Sequence, residues 1–273
     1  MSTIHAGMIG VLVVLAVVKS ASAADEAGLW RLWTRQQAEP GHHEAHAEAF
    51  SHFAATRPDD ALAPLADTLA AWHFLQAGRI DEATARWERW ATPRRTPTAR
   101  GAAQLSRAWL TRLDREEVVA ALDAYRAREV RFPARLSDLP SHPAVVAAGL
   151  SPPLQDRWGQ SWTYQLTQMR VLTGLPGQRY RLESLRLRDM SDLQTATSVP
   201  YGAGIPLEVV RVLGAGQTAS VQLADPEAPG APIALTPGAQ HNAITLEYLS
   251  DHLVVLHDTL HWKIMRTPGG GRR

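Results

Sequence analysis

The sequence predicts an α+β chain, with N-terminal helical hairpins, a central long helix packed on a small antiparallel sheet, and a C-terminal small β-barrel or sandwich. Three observations carry this. Apolar residues recur at the helical period through the first half, as in Leu62, Leu65 and Leu69 and again in Val118, Leu122 and Tyr125. Beyond Gly204 the pattern changes to short apolar runs separated by Pro, Gly and Asp turns. Over 273 residues, 45% hydrophobic against 20% charged content supports a real core and room for more than one domain.

Residues 8–18 form an apolar run of leader length, too short to span a bilayer. Ala21-Ser22-Ala23 supplies a small-x-small cleavage pattern, so residues 1–23 are expected to be a signal peptide and Ala24 the new N-terminus. The alternative is an uncleaved short anchor. Either way the body is expected outside the cytoplasm, periplasmic or secreted.

Residues 24–97 read as a helical region. Leu29, Trp30, Leu32 and Trp33 mark a first helix, broken at Pro40-Gly41. Residues 42–55 form a second and residues 60–76 a third, with Gly78 as its C′ residue. Residues 81–90 form a fourth, turning Ala83 and Trp87 inward. Residues 92–100, with Pro93, Arg94, Arg95 and Pro97, read as a linker.

Residues 98–192 are the central module. A helix over residues 101–112 leads into one that presents Val118, Leu122 and Tyr125; whether the two are continuous is left open. Asp114 and Glu117 have the spacing of a capping box. Phe132-Pro133 ends the helix, because proline lacks the N–H that the ladder needs. An irregular link, the turn Asp156-Arg157-Trp158-Gly159 and strand-like residues 161–165 follow. Residues 189–204 read as a second linker. Residues 203–267 form a small all-β domain, with strands expected at 207–213, 219–223, 233–235, 244–249, 253–256 and 262–265. Residues 268–273 are expected to be a disordered tail.

The central module resembles the globular domain of type II secretion major pseudopilins. The matching residues are Leu122, Tyr125, Phe132, Pro133, Leu136, Leu139, Asp156, Trp158, Gly159, Tyr164, Tyr180, Leu182 and Ser184. Where those proteins carry a glycine-bearing calcium loop, this chain reads Leu185-Arg186-Leu187-Arg188-Asp189. The run from Leu75 to Ala83 resembles the turn of a tetratricopeptide repeat, and the C-terminal strands resemble a periplasmic clamp-like domain of secretion and pilus inner-membrane proteins. Together these resemblances imply a non-enzymatic, exported structural or assembly protein of a type II secretion or type IV pilus-like envelope machine. Its partners would be envelope proteins: pseudopilins, a secretin or inner-membrane platform proteins. Membrane contact would come only through partners or an uncleaved leader. The alternatives are a periplasmic peptide- or glycan-binding protein, with a groove lined by Trp30, Trp33, Trp72 or Trp87, and a periplasmic hydrolase.

The residues offer no catalytic, cofactor or metal site to name. With no cysteine, thiolate chemistry and disulfides are excluded. A net charge of +1 supplies no global attraction for nucleic acid. His42 and His46 have zinc-helix spacing, but Glu44 is one position off the required face and no third ligand is signalled. His241, His252, His257, His261, Asp251 and Asp258 could supply triad members, yet no serine sits in a nucleophile elbow. Trp158 is expected to pack under its turn, with Asp156 accepting that turn's backbone donors.

Overall fold

The third helix organises the N-terminal half. In the computed structural model, which describes residues 21–92, 96–170, 176–187, 205–214, 219–227 and 230–268, the first four helices are α1 (Ala23–Ala38), α2 (His43–Thr56), α3 (Ala63–Gln76) and α4 (Ile80–Trp90). Residues 63–75 of α3 are buried on every side, the polar Asp67, Thr68 and His73 included. Leu29, Phe50 and Trp87 pack around it from α1, α2 and α4. Ser22 caps α1 by accepting from Asp25 N–H. Gly78 ends α3 at φ +79°, with Arg79 N–H donating to Phe74 O and Gly78 N–H to Leu75 O; this pairing needs a left-handed residue, and glycine adopts it without a Cβ clash.

One unbroken helix, α5 (Pro97–Glu129), spans 33 residues, about 50 Å at 1.5 Å per residue. It begins inside the expected linker, with Pro97 at a position where its missing N–H costs nothing. Asp114 is therefore not a cap but a mid-helix residue, only 8% exposed. It is held by Arg157, whose Nη2 donates to Asp114 Oδ1 at 2.8 Å and whose Nη1 donates to Glu88 Oε1 at 2.6 Å. Glu117, the other half of the expected capping box, accepts instead from Ser151 N–H. The helix stops before Phe132-Pro133: Val130 takes φ +60°, a conformation disfavoured for a β-branched side chain.

The two halves of α5 serve different cores. Ala102, Leu105 and Trp109 join the helical body, where the Trp109 and Trp87 rings stack with centroids 5.5 Å apart. Val118, Ala121 and Leu122 form a second core with Phe132, Leu139, Trp162 and Leu182. This core is closed by a short 3-10 turn (Leu136–Asp138), α6 (Pro143–Ala147), and the antiparallel hairpin of β1 (Thr163–Arg170) and β2 (Pro176–Glu183). The sequence does not foreshadow α6.

The remaining strands make two antiparallel sheets. One contains β3 (Glu208–Leu213), β4 (Ser220–Ala224) and β5 (Ile233–Leu235); the other contains β6 (Gln240–His241), β7 (Ile244–Leu249), β8 (Leu253–His257) and β9 (Trp262–Arg266). Leu207, Val221, Leu223 and Leu235 meet Leu246, Val254 and Leu256 in a shared core, the sandwich alternative of the expected fold. β8 is buried throughout. Val254 and Leu256 face the sandwich while Leu253 and Val255 join the helical core, as the period-2 pleat requires. Trp262 on β9 also enters the helical core, and its Nε1–H donates to Thr68 Oγ1 at 3.0 Å.

Among the described residues no helix is long and apolar enough to cross a membrane. Most of the leader (residues 1–20), residues 93–95, most of the second linker (188–204) and the tail from 269 lie outside the described residues.

Candidate binding cleft

A cleft of about 460 Å³ opens where the start of α5, the Asp156 turn and the second sheet converge. Its walls are built by different local rules. Arg100 and Gln104 lie one helical turn apart on α5 and share a face. Trp158 is presented by the Asp156 turn. Asp156 is 4% exposed; its Oδ1 accepts from Trp158 N–H and Gln160 N–H, both at 2.9 Å, and its Oδ2 accepts from Ser184 Oγ–H at 2.6 Å. Asp156 thus does what the sequence leads one to expect. Trp158 does so only in part: it packs beside buried Ala108 and Leu187, is half-buried at the lip of the cleft, and its Nε1–H donates to Gln104 Oε1 at 3.1 Å.

The floor is a buried acid and imidazole. Glu247 is 5% exposed and His257 7% exposed. They lie on neighbouring strands, with His257 Nδ1 3.1 Å from Glu247 Oε1. The β7–β8 register pairs Leu246 with Leu256 and Tyr248 with Val255, leaving Glu247 as the extra residue of a β-bulge. A bulge re-aims side chains. Here Leu246 stays in the sandwich core, Tyr248 packs towards the helices, and Glu247 lies over Gly101 of α5. Tyr248 O–H donates to Glu26 Oε1 at 2.6 Å, and burial is the main cause that pushes its phenol well above the usual range. Glu247 Oε2 is buried without a hydrogen-bond partner, which is uncommon for a buried carboxylate oxygen.

Other sequence candidates fall elsewhere. His42 stands exposed at the α2 N-terminus, 3.4 Å from Glu39, while His46 is buried and its Nε2 meets Glu39 O at 2.8 Å. The spacing that suggested zinc therefore brings no shared ligand set. The imidazoles that do come together are His43, His46 and His73. His43 Nδ1 is 3.1 Å from His73 Nδ1, and His73 Nε2 is 2.7 Å from Gln36 Oε1. Desolvation, with His46 and His43 adding to it, pushes His73 down to about 3, and desolvation also lowers His43. His73 is thus a neutral ring within the buried layer. Among the described residues no group of three His, Cys, Asp or Glu side chains is placed to hold a metal ion.

Of the possible triad members, Asp258 Oδ1 accepts from Leu260 N–H and His261 N–H, and its Oδ2 lies 3.2 Å from His261 Nδ1, closing the β8–β9 turn. Only His257 and Asp258 of that set line the cleft. The tryptophan-lined helical groove is not formed either. Trp33, Trp72 and Trp87 are core residues, and Trp30 is partly buried with the Arg266 guanidinium over its ring. The groove outside α2, α3 and α4 contains Asp67, which is already occupied by Arg86, Arg89 and Trp90 Nε1–H.

Sequence reasoning passed over Glu247, Arg100, Gln104 and Arg186 as site residues. One signal was present for Glu247: a lone acid inside the apolar strand Ile-Thr-Leu-Glu-Tyr-Leu. No family model, no curated protein and no solved structure matches this chain.

Proposed function

We propose that the protein is a non-enzymatic, extracytoplasmic structural or assembly protein, a component or accessory of a type II secretion or type IV pilus-like envelope machine. The observation that supports this best is the second half of α5. It lays Val118, Ala121 and Leu122 on a β-hairpin beside an Asp-x-Trp-Gly turn, the arrangement the pseudopilin resemblance implies. In this reading the helical body and the sandwich, locked together through Trp262 and Thr68, hold that module at a fixed angle for its partners. Those partners are pseudopilins, a secretin or the inner-membrane platform, met in the periplasm.

The test is capture of partners by the chain from residue 24 onward, added to an envelope extract of its own host and read by mass spectrometry. Enrichment of pseudopilins, secretin or platform proteins supports the reading. Their absence in repeated captures, with unrelated envelope proteins recovered in their place, overturns it. A second reading, a ligand-binding protein, is favoured by the cleft on Glu247 and Trp158.

A further inference from the structure

The cleft carries a chemical demand that no described residue answers. Glu247 Oε2 is buried and lacks a donor, although a desolvated carboxylate oxygen is costly to leave bare. The bulge in β7 is what brings it there, and Gly101, by lacking a Cβ, leaves the space its side chain fills. A backbone irregularity and a helix glycine both serve to seat one acid under an opening.

The walls narrow the class of ligand. Arg100 and Arg186 stand on the same cleft as Glu247 and Asp258. An ammonium group would meet Glu247 but face the Arg186 guanidinium. A carboxylate or phosphate would meet that guanidinium but face a bare carboxylate oxygen. A hydroxyl is both donor and acceptor, so neighbouring hydroxyls of one neutral ligand can donate to Glu247 and accept from arginine. Gln104, Gln240 and Thr245 add uncharged partners of the same kind. Trp158 is half-buried against Ala108 and Leu187, and its Nε1–H donates to Gln104. An indole face carries negative quadrupole charge and receives C–H groups well. The volume, about 460 Å³, lies within the ~300–1,000 Å³ range of small-molecule sites.

We propose that this cleft binds a neutral saccharide, with Glu247 accepting from its hydroxyls and Trp158 forming the stacking wall. The proposal goes beyond the secretion-machine reading and does not rest on it.

The test is titration of the full-length protein with neutral di- to tetrasaccharides of glucose, N-acetylglucosamine, mannose, galactose and xylose. Tryptophan fluorescence and calorimetry are the readouts, and zwitterionic dipeptides serve as comparators. At least one saccharide series should saturate and change the emission. Glu247→Gln should weaken that binding about tenfold or more by converting one acceptor to a donor, and Trp158→Ala should remove most of the emission change. If Glu247→Gln unfolds, Gln104→Ala, at an exposed position, takes its place. No saccharide binding, dipeptide binding instead, or affinity unmoved by these variants would overturn the proposal.

Discussion

Gly101→Ala probes the seat of the second sheet on α5, because two opposing effects there can be weighed. Alanine in a helix interior is worth about 1 kcal/mol over glycine. Against this, a Cβ at position 101 would stand 2.7 Å from Trp262 Cη2 and 3.0 Å from Glu247 Cγ and Cδ. Carbon atoms pack best at about 3.5–4.0 Å, so the clash with the indole is about 1 Å deep. Trp262 is 1% exposed and tied to Thr68, so it cannot slide aside cheaply. Overpacking costs about 1–3 kcal/mol, and with both neighbours buried the upper part of that range applies. The net expectation is a loss of about 1–2 kcal/mol, a fall in Tm of roughly 3–6 °C for a chain of this size. Gly28→Ala is the control. It is also helical, but its Cβ would meet only the Phe53 ring at 3.4 Å, so stability should rise by up to about 1 kcal/mol. Chemical denaturation of both variants, and of Gly101→Ala in a Trp262→Phe background, separates the terms; the smaller ring should recover part of the loss. A Gly101→Ala protein as stable as its parent would refute the seating of Trp262 and Glu247 on α5.

Three further outcomes are expected. His73 is held neutral down to about 3 when folded but takes a proton near 6.5 when unfolded. Its contribution is therefore complete above pH 6.5 and is lost as pH falls towards 3, at up to about 1.4 kcal/mol per pH unit; a histidine NMR titration showing His73 protonating near 6.5 in the folded protein would contradict this. Val130→Gly should raise stability by about 1 kcal/mol, since left-handed valine is strained and this side chain is 88% exposed; a lower denaturation midpoint would count against the strain. Asp156→Ala strips the acceptor from Trp158 N–H, Gln160 N–H and buried Ser184 Oγ–H, so a loss of about 2–4 kcal/mol is expected by urea unfolding, with a smaller one for Asp156→Asn; equal losses would show that the acceptor geometry is unimportant.

The first four helices were legible because their stripes end at strong punctuation, Pro40-Gly41 and Gly78. The continuity of α5 was not. Its middle, Arg112 to Glu117, interrupts the apolar stripe with charges and mimics a helix start. Two of those charges are settled by partners far along the chain: Asp114 by Arg157, and Arg115 by the Leu182 carbonyl. Six strands of the last two sheets were legible from their apolar runs, while β6, only two residues long, carries no pattern of its own. Asp156 was legible because an Asx turn is local. The cleft was not, since its floor depends on a bulge and a cross-strand register, and its walls come from three parts of the chain. Trp158 shows the limit well: its turn could be read, but its ring meets Ala108, Leu187 and Gln104, the last fifty-four positions earlier.

The strand buried on both faces also dictates an order of events. Thr68 and Trp262 are separated by 194 positions, and Leu253 and Val255 complete a core whose other walls are α1 to α5. A ribosome delivers those helices long before β8 and β9 exist. The early helices therefore emerge with one flank uncovered, and ring closure over most of the chain must precede their full stability. Such a chain folds late and as a unit, with an apolar flank that attracts chaperones or neighbours in the interval. A stop codon before β8 would then remove a wall from the first core, and the protein lost to proteolysis would include helices that the truncation never touched.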